Sequence, residues 1–162
     1  MNAPSRCFLL LAALSIAAAP FARAQREKLP PDDLAWVQEH FPQAKKTSTG
    51  IRYIVLREGT GEVARPGDKA LVLYTGRLLN GKIFDQRLDP KEPFAVHVRR
   101  GEVIEGWDQI LQFMKKGEKR IVIIPPELAY GTRGQPPDIP RDATLVFEME
   151  ILDIVRTHEL RP

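Results

Sequence analysis

Six aromatic residues and one acid carry the chemistry open to this chain. Tyr74, Phe84, Phe94, Trp107 and Phe147 come from five separate stretches, Tyr130 sits in a proline-rich loop, and Asp85 directly follows Phe84. Brought together, they would line an apolar hollow with very few polar groups inside it. Such a hollow suits a substrate that must shed water and rotate, rather than one attacked by a nucleophile. Other chemistries lack their residues. His40, His97 and His158 have no metal-ligand spacing, serine is scarce in the domain, and no Gly-x-Ser-x-Gly elbow is present. Gly59-Thr60-Gly61-Glu62-Val63-Ala64 fits a dinucleotide-binding pattern, but Arg65-Pro66-Gly67 stands where the phosphate-binding helix must begin. Taken singly, each aromatic has a plainer reading. Trp107, Phe94 and Phe147 could be core, Asp85 a turn residue bonding nearby backbone, and Tyr130 a loop closure.

The elements that would position these residues follow from periodicity. Ile51 to Leu56 alternates as a strand. Ala70 to Leu79 is another, with Val72, Tyr74, Gly76 and Leu78 on one face. Asn80-Gly81 marks a tight hairpin into Lys82 to Asp85. Phe94, Val96 and Val98 alternate with Ala95, His97 and Arg99, which points His97 outward. The period then changes: Trp107, Ile110, Leu111 and Met114 share one helical face and predict the only long helix. Lys119 to Ile124 is rich in β-branched residues, and Leu145, Phe147, Met149 and Ile151 alternate with Val146, Glu148 and Glu150. Between these two strands, Pro125 to Asp142 is a proline-stiffened loop of a length that is usually functional. The sum is an α+β domain, a mostly antiparallel sheet with one helix across it.

The 162 residues leave room for one domain, placed at 50–157, a short tail at 158–162 and one arm. The arm, 25–49, carries a short helix after Pro30-Pro31. Asp32 is its expected cap, with Leu34, Val37 and Phe41 on one side and Pro42 as its stop. Docking on the domain is its expected role; a dimerisation surface is the alternative. Ahead of the arm, Phe8 to Ala19 is apolar except for Ser15, with Arg6 before it and Ala22-Arg23-Ala24 after it. That pattern predicts a secretory leader, residues 1–24, cut before Gln25. The run is shorter than the ~20 residues a spanning helix needs, which argues against stable membrane insertion. Taking Arg6 and Arg23 from the 24 basic residues leaves 22 against 21 acidic ones. Nucleic acid and anionic membranes, which need a clustered positive excess, are therefore poor partners. Cys7, the sole cysteine, also lies in the leader, so the remainder forms no disulfide, thiolate metal site or cysteine nucleophile.

Six motifs carry a resemblance. Val72-Leu73-Tyr74-Thr75-Gly76, Phe84-Asp85, Phe94, Gly101-Glu102-Val103-Ile104-Glu105-Gly106-Trp107, Ala129-Tyr130-Gly131 and Leu145-Val146-Phe147 resemble the signature of the FKBP-type peptidyl-prolyl cis-trans isomerases. The resemblance runs from about Gly50 to Val155 and leaves out the leader and the arm. It implies an antiparallel half-barrel wrapped around one central helix, with the substrate hollow between them. Trp107 would be the floor of that hollow, and Tyr74, Phe84, Phe94, Val103, Ile104 and Phe147 its walls, with Ile139 also binding substrate. Asp85 would sit at the edge near the Tyr74 hydroxyl. The Ile104 N–H and the Tyr130 hydroxyl would bond substrate carbonyls, giving Asp85, Tyr130 and Tyr74 the catalytic roles.

Three positions depart from the family's best-known members. Pro90 stands where many carry an arginine pairing with the aspartate, Gln135 where histidine is common, and Asp138 where isoleucine usually walls the site. Arg87 is the expected replacement partner for Asp85. The resemblance implies altered substrate preference rather than lost activity, and sensitivity to macrolide ligands. The expectation is a monomeric, exported prolyl isomerase, placed in a bacterial periplasm, acting on proline-containing unfolded or partly folded polypeptides without any cofactor. A non-catalytic proline-segment binding module or holdase is the alternative.

Overall fold

The computed structural model describes residues 26–157. The expected leader and the tail from His158 onward lie outside the described residues. Helix α1 (Pro31–His40) opens on a proline, whose missing N–H and fixed φ suit the first helical position. The cap expected from Asp32 is not formed. Pro30 holds the cap position without a side-chain bond, and Asp33 instead accepts a hydrogen bond from the Thr144 hydroxyl at 2.5 Å. That bond fastens α1 to the residue just ahead of the sheet's last strand rather than to itself.

Strands β1 (Lys45–Lys46), β2 (Arg52–Arg57), β3 (Thr60–Val63), β4 (Lys69–Leu78), β5 (Ile83–Arg87) and β6 (Phe94–His97) precede helix α2 (Glu105–Ile110); β7 (Lys115–Lys116), β8 (Lys119–Ile124) and β9 (Leu145–Val155) follow it. The main sheet is seven-stranded and runs β1-β2-β8-β9-β4-β5, with β6 also on β4. Every pairing is antiparallel. Strand β4 serves β9 along one edge, while β6 takes its first half and β5 its second half on the other. The connection 88–93 therefore leaves the sheet between β5 and β6. β3 and β7, a two-stranded ribbon, are absent from the periodicity reading because Thr60-Gly61-Glu62-Val63 and Lys115-Lys116 show no apolar alternation.

The long helix expected around Trp107 is shorter than its spacing suggests. α2 covers six residues and tightens into a 3₁₀ turn at Leu111–Phe113, because the chain must swing into β7 directly after Met114. The apolar face survives the change, with Trp107, Ile110, Leu111 and Met114 all buried against the sheet. α2 approaches β8 closely at Gly106, where a Cβ would lie 2.5 Å from Ile124 Cγ2. The longer helix is α1. It covers the opposite sheet face, where Leu29 and Val37 pack with Ile123 and Val146. The sheet thus has a helix on each side.

Candidate functional site

Trp107 is the centre of the aromatic set. Its ring meets Tyr74 at 4.9 Å, Phe147 at 5.3 Å and Phe94 at 6.0 Å between centroids, each nearly perpendicular. Phe84 stands edge-on to Phe147 at 5.6 Å, and Tyr74 to Phe94 at 5.8 Å. Edge-to-face packing fixes each ring against its neighbour's quadrupole and so sets the shape of the cup. Tyr74, Phe84, Phe94, Trp107 and Phe147 line one hollow of about 220 Å³, together with Val103, Ile104, Asp85 and Tyr130. Glu102 lines it too, a residue sequence reasoning named only within a motif. Ile139 does not reach this hollow; it lines an adjoining one, which shares Phe84, Asp85 and Tyr130. A larger hollow of about 690 Å³ lies behind α2, between the 47–49 turn and Arg99, and has no residue in common with the cup.

Phe84 and Asp85 both reach the hollow although they are consecutive. Strict alternation would send them to opposite faces. The register of β4 against β5 slips between Gly76 and Arg77, which pair with Asp85 and Ile83, so Phe84 is an extra residue on its strand. This bulge re-aims the pair. Gly76 makes room for it: a Cβ there would stand 2.7 Å from both the Phe147 and Phe84 rings.

The loop before α2 is held by a buried acid. Asp108 accepts hydrogen bonds from the Arg99 and Gly101 N–H groups at 3.0 and 2.8 Å. Arg99 and Gly101 have φ of 61° and 69°, so the loop doubles back onto the helix and delivers Val103 and Ile104 to the cup wall. Glu102 is braced by the His97 N–H and ring, and this holds its carboxyl below the usual glutamate range. Opposite, the 125–142 loop is shaped by 3₁₀ turns at Pro126–Leu128 and Gly131–Arg133 and by a Gln135–Ile139 bridge, which together set Tyr130 at the mouth.

Polar groups at the cup are few. The Tyr74 hydroxyl donates to Asp85 Oδ2 at 2.6 Å, a short charge-assisted bond. Burial, and then that bond, push the Tyr74 phenol well above its ordinary range. Burial and the Asp85 charge push Tyr130 up as well. Both therefore keep their protons and remain donors at neutral pH. Among the described residues the Tyr130 hydroxyl has no hydrogen-bond partner, and neither has the Ile104 N–H, which leaves two donors free for a ligand. The expected Arg87–Asp85 pair is not made. No lysine or arginine of the described residues lies within 4.0 Å of the Asp85 carboxylate, whose side-chain partner is Tyr74. The two residues share a strand face but stand roughly 7 Å apart along it, and Arg87 lies beside Tyr74 instead. Pro90, in the exposed connection after β5, supplies no donor in its place.

Comparison with known proteins converges on one family. Residues 61–152 match the model of the FKBP-type peptidyl-prolyl cis-trans isomerase family. Over 109 residues the chain is 47% identical to peptidyl-prolyl cis-trans isomerase FKBP4 of Rattus norvegicus, a match covering 67% of this chain and 24% of that protein. It is 52% identical over 97 residues to FKBP2 of Mus musculus, covering 60% of this chain and 69% of the relative. The chain thus spans about a quarter of the FKBP4 length and about two thirds of FKBP2. Among solved structures, FkpA from Escherichia coli superposes with a TM-score of 0.68 at 39% identity, over 76% of this chain and 58% of that one. A peptidyl-prolyl cis-trans isomerase from Pseudomonas syringae does so at 0.68 and 32%, over 77% and 92%. The antiparallel sheet around α2, the aromatic cup and these matches agree: the chain belongs to the FKBP-type peptidyl-prolyl cis-trans isomerase family.

Proposed function

We propose that the aromatic cup binds the proline of a polypeptide and accelerates rotation about the preceding peptide bond, with no covalent intermediate. The observation that carries this reading is the convergence of rings from separate strands and α2 on one hollow, beside two unused donors. Rotation costs ~18–20 kcal/mol because resonance gives the C–N bond double-bond character. The planar amide is the more charge-separated form, so a dry aromatic wall disfavours it relative to the twisted one. Each tenfold of acceleration needs about 1.4 kcal/mol of such differential stabilisation. Desolvation by Trp107 and its neighbours, with peptide carbonyls held by the Tyr130 hydroxyl and the Ile104 N–H, supplies it in this reading. Tyr74 and Asp85 fix the edge against which the substrate turns.

The substrates are proline-containing unfolded or partly folded chains, in which X–Pro bonds hold a sizeable cis fraction and exchange slowly. Export of the protein is part of the proposal, supported by the Phe8–Ala19 run and Ala22-Arg23-Ala24. Among the described residues no helix is long and apolar enough to cross a membrane. Sequencing the N-terminus of the protein from a cell-envelope fraction tests export, with Gln25 the expected first residue.

A protease-free assay of cis-to-trans conversion in Leu-Pro and Phe-Pro peptides tests the activity. Asp85→Ala and Tyr130→Phe are expected to lower kcat/KM by about tenfold each, a loss of roughly 1.4 kcal/mol in transition-state stabilisation. Trp107→Leu chiefly weakens peptide binding. Background rates at excess protein despite measurable binding would make the chain a proline-segment binding module instead.

A further inference from the structure

Beside the cup lies the second hollow, of about 200 Å³, which shares Phe84, Asp85 and Tyr130 with it and adds Gln135, Asp138 and Ile139. The two form one groove. Three carboxylates stand along it, namely Asp85 in both hollows, Asp138 at one end and Glu102 at the other, and among the described residues no lysine or arginine lines it. The basic side chains that bond two of them lie outside the lining. Lys82, next to the Asn80-Gly81 turn, reaches over to Asp138 at 3.0 Å, and the His97 ring bonds Glu102 at 2.9 Å.

The Lys82–Asp138 pair is weak by construction. Both side chains are about half exposed, 50% and 54%, so solvent screens their attraction. A cation arriving on a ligand from the groove side can take Lys82's place on Asp138 at little cost. It also meets Asp85 and the apolar wall, where charges act through less water. An acidic ligand in the same groove faces three like charges and no counter-charge lining it.

We propose that Asp138 is a specificity-determining residue that makes the groove prefer prolyl peptides bearing a lysine or arginine beside the proline, by accepting the cation that Lys82 now supplies. This rests on the isomerase reading above, and the experiment separates the two. Peptides carrying Lys, Leu or Glu before the proline, and a second set carrying them after it, are compared by kcat/KM and by direct binding. In one set the Lys peptide exceeds the Glu peptide by about three- to tenfold at low salt, and the gap narrows at high salt. Asp138→Asn lowers that ratio toward one, leaving what Asp85 and Glu102 contribute, whereas Lys82→Met, which frees Asp138, raises it. A merely structural role for Asp138 would move all peptides together and leave the ratio alone. Equal rates for Lys and Glu peptides in both sets, or a ratio that Asp138→Asn leaves unchanged, overturns the inference while leaving the isomerase reading intact. If no peptide is turned over, the isomerase reading fails, and the same ratios read as dissociation constants decide the preference.

Discussion

At the scale of single residues, the site is a set of contacts with no slack. Gly76 lies on the inner face of β4, where alternation in the sequence places it, yet periodicity says nothing of why it must be glycine. The Phe84 and Phe147 rings fill the space a side chain would need. Gly76→Ala is expected to destabilise the domain by about 1–3 kcal/mol, the usual range for overpacking. It should also lower kcat/KM for a prolyl peptide more than any change in the arm does. Chemical denaturation and the peptide assay read the two effects separately, and a fully active, fully stable Gly76→Ala protein would contradict the packing. Tyr74 and Asp85 make a unit of a different kind. Because the hydroxyl is committed to the carboxylate, Tyr74→Phe added to Asp85→Ala should lower kcat/KM little beyond Asp85→Ala alone. Multiplicative losses would mean that each acts on the substrate by itself.

At the scale of elements, what was legible in the sequence was what repeats. β2, β4, β6 and β9 could be read because apolar alternation runs through or past them, β8 because it is rich in β-branched residues, and α2 because four apolar residues share a helical face. The β5 bulge was not legible, since an extra residue leaves no mark on a two-residue pattern. Nor was the burial of Ile123 and Val146. Both lie on the sheet face that alternation assigns to the outside, and they are buried because α1 covers them. That cover is fastened at one end by Glu27, which takes two hydrogen bonds from Arg52 at 3.1 and 2.7 Å and one from Lys46 at 2.9 Å. The Arg52 bonds above all hold its carboxyl far below the ordinary range. Glu27→Gln is therefore expected to cost about 1–2 kcal/mol at neutral pH, the low end for bonds between charged partners, since Glu27 is partly exposed. A cycle with Arg52→Gln should show coupling of similar size, and strict additivity would remove the contact from the stability account. Activity measured well below the unfolding temperature should stay unchanged, because no described residue of the arm lines the cup.

At the scale of the whole molecule, no described cysteine is available to staple the chain, and several carboxylates close the fold on itself. Asp68 is the most buried of them. Burial alone would raise its pKa, but the Arg65 N–H, at 2.8 Å, and the Arg156 guanidinium outweigh that and hold it below the ordinary aspartate range. Through Arg156 it ties the end of β9 to the turn ahead of β4. Asp153, held down mainly by the Lys116 bond, ties β9 to β7, and Glu27 secures the arm. Each of these groups has a folded pKa below its unfolded one, so on acidification the unfolded chain takes up protons first. Their stabilisation is thus complete above the ordinary carboxylate range near pH 4 and is lost as pH falls through the depressed folded values. Urea midpoints measured from neutral to acid pH should fall steeply below that range. Asp68→Asn keeps the shape but not the charge, and should be less stable than the parent by about 1–3 kcal/mol at neutral pH. The two stability curves should then converge as the parent's Asp68 becomes protonated. Curves that stay parallel to the acid end would mean that Arg156 draws its hold from packing rather than from the Asp68 charge.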